Sequence, residues 1–169
     1  MTRPVYFDSS VFLSIFTGDA SAAKIKDLLK ELKKDKVRIY TSIVTIQEVS
    51  VLSYRKGTKA EDNYTKVDKL ARIEGVTKEV ALTAAKLEAN IIDQTQKKDR
   101  EDNKRRKWDC FHIATALTLD CGVFYSCDEK QLKRKDQFNI AGIIFMPPEP
   151  SKPPLPFPAT QKQPANPIQ

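Results

Sequence analysis

Apolar and polar positions along the chain follow two patterns, short apolar runs and longer stretches with helical spacing. The short runs predict buried strands at residues 5–7, 37–41, 123–127 and 143–146. In the longer stretches apolar residues recur every three or four positions, as at Ile25, Leu28, Leu29 and Leu32. Helices are predicted over residues 11–16, 25–32, 43–54, 61–73, 78–92, 108–120 and 129–133. Gly18 is predicted to end the first of them, Ser42 to cap the third and Gly57 to end it. This alternation predicts an α/β fold, a mostly parallel β-sheet flanked by helices.

The chain is predicted to form one domain followed by a tail. A length of 169 residues suits a single hydrophobic core, and we expect it to span residues 1–146. Residues 147–169 contain nine of the ten prolines, which excludes a regular helix or a central strand. They predict an extended, polyproline-like or disordered tail.

Charge and cysteine usage narrow the class of protein. Lys and Arg outnumber Asp and Glu by 29 to 22, which favours a polyanion as partner, although a solvated basic surface is an alternative. Residues 96–107 carry seven basic residues against three acids and are predicted to be a charged helix end plus loop. The three cysteines indicate small buried thiols in a reducing cytosol, not a disulfide framework or a zinc site. We find no membrane-spanning stretch or signal peptide, and expect a soluble, cytoplasmic protein.

Four acidic residues are the main chemical signal. Asp8 and Asp128 each follow a short apolar run and precede a helical pattern, and ligands of open parallel sheets bind at the carboxyl ends of the strands. Glu48 lies within a predicted helix, in line with apolar positions that would face the core. Asp109 begins the predicted helix over residues 108–120. Together these positions predict one acidic cleft.

Each acid also has a structural explanation. Asp8 suits an N-cap, and Asp128 with Gln131 matches a capping box. Asp109 in the first turn of a helix is favoured by the helix dipole. Glu48 could be ion-paired at the edge of the core. The functional interpretation rests on the four acids converging at one edge of the sheet.

Clustered carboxylates need a counter-charge, because like charges raise one another's pKa. Oxygen ligands without paired His or Cys indicate Mg²⁺ or Mn²⁺. Such an ion can activate water and stabilise a phosphodiester transition state. Ser10 and Ser126 flank the predicted cleft and could bind a metal-bound water or a phosphate, or could simply be turn and strand-end serines.

The motifs in order resemble those of PIN domains, especially VapC-type toxin ribonucleases, over roughly residues 4–146. The motifs are Asp8-Ser9-Ser10-Val11, Glu48, the helix from Asp109 to Ala116, and Ser126-Cys127-Asp128. The resemblance implies that Asp8, Glu48 and Asp109 form the core of a Mg²⁺ or Mn²⁺ site, with Asp128 as fourth acid and Ser126 beside it. It also implies an RNA substrate, a homodimer and, for toxins, an antitoxin partner. The basic segment 96–107 and the tail lie outside this pattern.

Two other functions stay open at this point. A haloacid-dehalogenase-like phosphatase also has an Asp at a strand end, but it needs a second Asp where this chain has Ser10. A non-catalytic RNA-binding or scaffold module is the other alternative, and the presence of all four acids argues against it. His112 could face the cleft, although a lone histidine on an apolar helix is more often structural. Trp108 could stack on a base but is expected to anchor the core.

Overall fold

The computed structural model describes residues 2–94, 100–133 and 140–150, with the backbone alone for 92–94 and 100–106. These ranges contain five strands, β1 (Val5–Phe7), β2 (Ile39–Ser42), β3 (Arg72–Glu74), β4 (Val123–Tyr125) and β5 (Ile144–Met146). They also contain seven helices, α1 (Ser9–Thr17), α2 (Ala22–Lys34), α3 (Ile43–Lys56), α4 (Ala60–Asp68), α5 (Lys78–Gln94), α6 (Arg100–Thr118) and α7 (Glu129–Lys133).

The strands form one sheet in the order β3-β2-β1-β4-β5, and every pairing is parallel. The chain builds outward from β1 in one direction through β2 and β3, and in the other through β4 and β5. The strand order therefore reverses beside β1, where the crevice for a ligand opens in sheets of this kind. The predicted α/β fold with a mostly parallel sheet is confirmed.

Helices cover both faces of the sheet because successive strand residues point to opposite sides. Tyr6 and Phe124 face a core formed with α5 and α6. Phe7 and Tyr125, one position further along each strand, face a second core formed with α1 and α2. The central strands are consequently buried on both sides, which accounts for their uninterrupted apolar runs. No helix in the described ranges has the length and apolar character to cross a bilayer.

Helix ends follow the local capping signals. Asp8 is the N-cap of α1 and accepts a hydrogen bond from the backbone of Ser10, so the helix begins at Ser9 rather than at the predicted residue 11. Ser42 caps α3 as predicted, through a bond from the Val44 backbone. The predicted stops at Gly18 and Gly57 are confirmed, each in the left-handed region, with φ of 69° and 66°.

The largest errors in the predicted bounds concern two helices. Helix 61–73 ends at Asp68, and Arg72–Glu74 instead pairs with β2 as an edge strand, with Ile73 beside Thr41. No Gly or Pro separates the two elements, so the boundary has no local signal. Helix 108–120 begins at Arg100, because residues 100–107 are mostly good helix formers. The predicted loop before it is therefore helical from Arg100, and residues 96–99 lie outside the described ranges.

The predicted tail departs from the domain beside α2. Pro148 is buried, and Glu149 forms an ion pair with Lys24. Residues 151–169 lie outside the described ranges, so the boundary between domain and tail stays a prediction.

Candidate functional site

The candidate site lies where β1 and β4 end side by side. The Asp8 backbone donates a hydrogen bond to the carbonyl of Tyr125 at 3.0 Å, which joins the first residue after β1 to the last residue of β4. Ser126 follows directly. This is the point of strand reversal, so the fold opens its crevice next to Asp8.

Two serines hold the carboxylate of Asp8. The Ser10 hydroxyl lies 2.7 Å and the Ser126 hydroxyl 3.2 Å from Asp8 Oδ2. The backbone of Cys127 donates to Ser10 Oγ at 2.9 Å, which ties the two strand ends together. Asp8 is buried, and these contacts orient its carboxylate. The structure thus brings Ser10 and Ser126 to the same oxygen of Asp8.

His112 joins Glu48 to Asp8. Its Nε2 lies 2.9 Å from Glu48 Oε2 and 3.7 Å from Asp8 Oδ1. Its Nδ1 lies 2.7 Å from the hydroxyl of Tyr6. The ring is buried, whereas the Glu48 side chain is 28% exposed at the rim. Burial raises the pKa of Glu48, but the hydrogen bond and charge of His112 together outweigh it, and the pKa is lowered overall.

The predicted inward line through Glu48 is wrong in part. Val51 is 45% exposed, and the buried face of α3 consists of Val44, Thr45, Val49 and Ser53. Glu48 therefore lies beside the core stripe rather than in it. Its inward direction comes from His112 on a different helix.

Asp109 lies in the middle of α6, because that helix begins at Arg100. The predicted explanation that it serves the helix dipole in the first turn is therefore wrong. Burial raises its pKa to about 7, and the negative charges of Asp8, Asp128 and Glu48 add to the rise, against a lowering by His112. A carboxylate whose pKa responds to three others shares one electrostatic field with them.

Asp128 is exposed at the start of α7 and acts locally as a cap. Its Oδ1 accepts from the backbone of Lys130 at 2.8 Å and more weakly from Gln131 at 3.4 Å. The reciprocal half of the predicted capping box is absent, because the Gln131 side chain is buried without a hydrogen-bond partner in the described structure. Its capping role leaves the second carboxylate oxygen open to other contacts.

The oxygen atoms of the four acids are of the type that binds a hard divalent cation, but they are not close enough together to coordinate one. All four acids offer oxygen, the ligand type that Mg²⁺ and Mn²⁺ prefer. Burial, together with the charges of Asp8, Asp128 and Glu48, raises the pKa of Asp109, so a nearby cation would stabilise its ionised form. Among the described side chains, however, no three carboxylate, imidazole or thiol groups are close enough to hold an ion as they stand.

Sequence reasoning underrated His112 and did not single out Tyr6. The signal for His112 was its spacing of three residues after Asp109, which puts both on one face of α6. Tyr6 gave no signal of its own, since a tyrosine in a buried strand fits the core. Trp108 is 42% exposed, so the expectation that it anchors the core is wrong.

Comparison with known proteins agrees with this geometry. The family model of the PIN domain matches residues 5–137. VapBC2 from Rickettsia felis, bound to a promoter DNA fragment, has 14% identity and a TM-score of 0.59, with 85% of this chain and 97% of that chain covered. The sarcin-ricin loop cleaving toxin VapC20 from Mycobacterium tuberculosis has 18% identity and a TM-score of 0.56, covering 78% and 95%.

A toxin–antitoxin complex from Klebsiella pneumoniae is similar at 16% identity and a TM-score of 0.55, covering 83% and 95%. No curated protein sequence matches the chain. Identities this low show the fold alone. The family model, in contrast, covers most of the chain and includes Asp8, Glu48, Asp109 and Asp128. The chain therefore belongs to the PIN domain family.

Proposed function

We propose that the chain is a metal-dependent endoribonuclease. The observation that carries the proposal is the arrangement at the ends of β1 and β4, where Ser10 and Ser126 hold the Asp8 carboxylate and His112 joins Asp8 to Glu48. Burial, with the charges of Asp8, Asp128 and Glu48, raises the pKa of the nearby Asp109 to about 7, which supports this arrangement. Ionising Asp109 beside the other acids has an electrostatic cost, and a divalent cation held among them would remove it. Membership of the PIN domain family makes the haloacid dehalogenase alternative untenable.

Each acid has a distinct part in this function. Asp8, Glu48 and Asp109 would hold Mg²⁺ or Mn²⁺, and Asp128 would complete the set from the exposed side. When bound, the ion would supply a lowered pKa for water and charge stabilisation for the phosphate. Ser10 and Ser126 keep the Asp8 carboxylate oriented through its Oδ2.

RNA as substrate is supported by charge, by an exposed ring and by one relative. The net charge of +7 favours a polyanion. Trp108 is 42% exposed and precedes Asp109, so its ring is available to stack on an unpaired base beside the acids. VapC20, which shares the fold, is a toxin that cleaves the sarcin-ricin loop.

The basic residues before Trp108 would bind phosphates outside the crevice. They are Lys97, Lys98, Arg100, Lys104, Arg105, Arg106 and Lys107. Changing Arg105, Arg106 and Lys107 to Ala should make the slope of log affinity against log salt concentration shallower by about 0.7 to 0.9 for each lost phosphate contact. The control is a triple change of exposed lysines on α2, at Lys26, Lys33 and Lys34. If the two triple variants had the same salt dependence of RNA binding, the basic residues before Trp108 would not contact the RNA.

A homodimer and an antitoxin partner complete the proposal. Ile43, Gln47, Val51 and Tyr54 follow one face of α3 and are all exposed, with Tyr54 at 73%. We assign this apolar stripe to a second copy of the chain. Val51→Asp should then shift sedimentation to the monomer, whereas Leu82→Asp on α5 should not. An antitoxin is supported by the similar fold of a Klebsiella pneumoniae toxin–antitoxin complex.

The decisive experiment measures metal binding and cleavage together. The wild-type protein is melted with and without Mn²⁺ and incubated with a mixed RNA pool, with and without EDTA. We expect Mn²⁺ to raise the melting temperature and EDTA to stop cleavage, because the acids need the ion. RNA binding with neither Mn²⁺ stabilisation nor cleavage would favour a non-catalytic RNA-binding or scaffold module instead.

A further inference from the structure

We propose that Tyr6 is a positioning residue for Glu48 and acts through His112. Its hydroxyl holds the imidazole in the form that donates Nε2–H to Glu48, and the donated hydrogen bond holds the Glu48 carboxylate toward Asp8. This inference rests on the proposed function, in which Glu48 is a metal ligand. It assigns a role to a tyrosine that is fully buried within β1.

The contacts form one continuous chain from strand to rim. The Tyr6 hydroxyl lies 2.7 Å from His112 Nδ1, and His112 Nε2 lies 2.9 Å from Glu48 Oε2. Tyr6 belongs to β1, His112 to α6 and Glu48 to α3, so three separate elements meet in these two bonds. A carboxylate on a helix rim is thereby anchored to the central strand of the sheet.

The hydrogen positions follow from the partners. His112 Nε2 faces carboxylate oxygens of Glu48 and Asp8, which accept hydrogen bonds, so Nε2 must carry the hydrogen. In the neutral ring Nδ1 is then bare and must accept from the Tyr6 hydroxyl. Tyr6 is a donor suited to that place, because its hydroxyl is buried and directed at Nδ1.

The hydroxyl is held by rigid packing. The Tyr6 ring is fully buried and stacks on Phe124, with ring centroids 5.2 Å apart and planes 9° apart. The His112 ring meets its edge at 6.0 Å and 66°. Glu48 has the opposite character, since its side chain is flexible and 28% exposed. Without a donor from His112 it would sample solvent-directed rotamers and meet a cation less often.

The single histidine makes the tautomer directly measurable. Imidazole ¹⁵N spectra recorded at increasing pH, up to the plateau at which the ring is neutral, should show protonated Nε2 and bare Nδ1 in the wild type. Tyr6→Phe keeps the ring and removes the hydroxyl, so the two tautomers should mix. Mn²⁺ affinity measured by calorimetry should fall by about 10-fold to 100-fold, the usual effect of removing an outer partner of a metal ligand.

Tyr125→Phe is the matched control. Tyr125 is equally buried at the end of the neighbouring strand, and its hydroxyl has no hydrogen-bond partner in the described structure. Removing that hydroxyl should leave both the ¹⁵N spectrum and the Mn²⁺ affinity unchanged. A second pair of variants tests the bond to Glu48 without touching Tyr6. His112→Gln keeps an N–H donor near the position of Nε2 and should retain more Mn²⁺ affinity than His112→Leu.

The outcomes separate this inference from the proposed function. Tyr6→Phe with the wild-type tautomer, or with wild-type Mn²⁺ affinity, overturns the inference even if the protein cleaves RNA. Equal Mn²⁺ affinity of His112→Gln and His112→Leu also overturns it, because Tyr6 can act on Glu48 only through the bond from His112. This second result can be obtained even if Tyr6→Phe does not fold. A wild type that binds no Mn²⁺ overturns both, because Glu48 then has no ion to meet.

Discussion

Charged side chains lie at both the amino edge and the carboxyl edge of the sheet, but their charges are compensated differently. At the amino edge, the Arg3 guanidinium bonds to Asp120 Oδ1 at 2.6 Å and to the backbone carbonyls of Asp120, Cys121 and Gly142. At the carboxyl edge, four acids share one field, and burial with their mutual repulsion raises the pKa of Asp109 to about 7. The charge of Arg3 at the amino edge is thus paired, whereas burial and like charges oppose the charge of Asp109 at the carboxyl edge.

The difference separates stability from function. Through its hydrogen bonds, the Arg3 guanidinium connects the residues before β1 to the loop after α6 and to the loop before β5, which stabilises the fold. The ionised Asp109 carboxylate lowers the stability of the metal-free protein because burial and the neighbouring acids oppose its charge, and a fold retains such a cost where the charge serves a ligand. The carboxyl edge should therefore respond to divalent cations, and the amino edge should not.

The largest expected effect is loss of cleavage when an acid of the carboxyl edge is neutralised. Asp8→Asn and Asp109→Asn should each lower RNA cleavage by more than about 100-fold, beyond the effect of an outer partner. Asp109→Asn should also stabilise the metal-free protein at pH 8 by about 1 to 3 kcal/mol, because burial and repulsion no longer oppose a charge. Cleavage assays and urea unfolding without metal measure the two effects.

The control for the acids comes from the other edge. Asp120→Asn removes an acid of the same type, whose side chain is 77% exposed beside Arg3. It should leave cleavage and Mn²⁺ stabilisation intact. If Asp120→Asn lost activity as Asp8→Asn does, the two edges would not differ as described.

The next effect is a loss of stability at the amino edge. Arg3→Met should destabilise the protein by about 1 to 3 kcal/mol, because carbonyl oxygens of Asp120, Cys121 and Gly142 lose a charged donor. Cleavage per folded molecule should be unchanged. Arg3→Lys is the matched variant and should recover part of the loss. A large fall in activity of folded Arg3→Met would instead connect this edge to the site.

The pH dependence of the metal-free protein should come from the carboxyl edge. Asp109 and His112 both have a raised pKa in the folded protein. Burial and the neighbouring acids raise the pKa of Asp109. Burial lowers the pKa of His112, but the hydrogen bond to Glu48 and the charges of the nearby acids together outweigh it. A raised folded pKa means that the folded state holds the proton more tightly, so this stability is present at low pH and lost as pH rises. Glu48 has a lowered pKa in the folded protein, so its contribution to stability is present above its ordinary pKa and is lost as pH falls through the lowered value.

Unfolding free energy without metal should therefore fall between about pH 5 and 8, by about 1 to 3 kcal/mol. The measurement is urea unfolding across that interval with and without Mg²⁺. Mg²⁺ should make the unfolding free energy nearly independent of pH in this interval, and Asp109→Asn should make its decrease smaller. A metal-free stability that rises through this interval would contradict the description of the carboxyl edge.

The smallest effect concerns the exit of the tail. Glu149→Gln removes the ion pair with Lys24, whose side chains are 48% and 58% exposed, and should change stability by less than about 0.5 kcal/mol. Truncation after Pro150 should be as mild, and truncation after Met146 should cost slightly more because Pro148 is buried. Thermal melting measures all three. Unfolding of either truncated chain would show that the tail is part of the domain.

Local signals in the sequence determined the central architecture. The apolar runs of β1 and β4, the caps at Asp8 and Ser42 and the stops at Gly18 and Gly57 could be predicted because each depends on a few neighbouring residues. The same signals brought Asp8 and Asp128 to strand ends, where a parallel sheet opens its crevice. The motifs around the four acids predicted the PIN domain family, and the match of its family model to residues 5–137 confirms it.

Tertiary contacts decided the rest. β3 exists because β2 offers an open edge to Arg72–Glu74, a segment with no strand signal of its own. The bond from His112 to Glu48, and the bond from Tyr6 to His112, join residues 64 and 106 positions apart. Hydrophobic periodicity reports which face of an element is buried, but the partner that a buried polar atom meets depends on how separate elements pack.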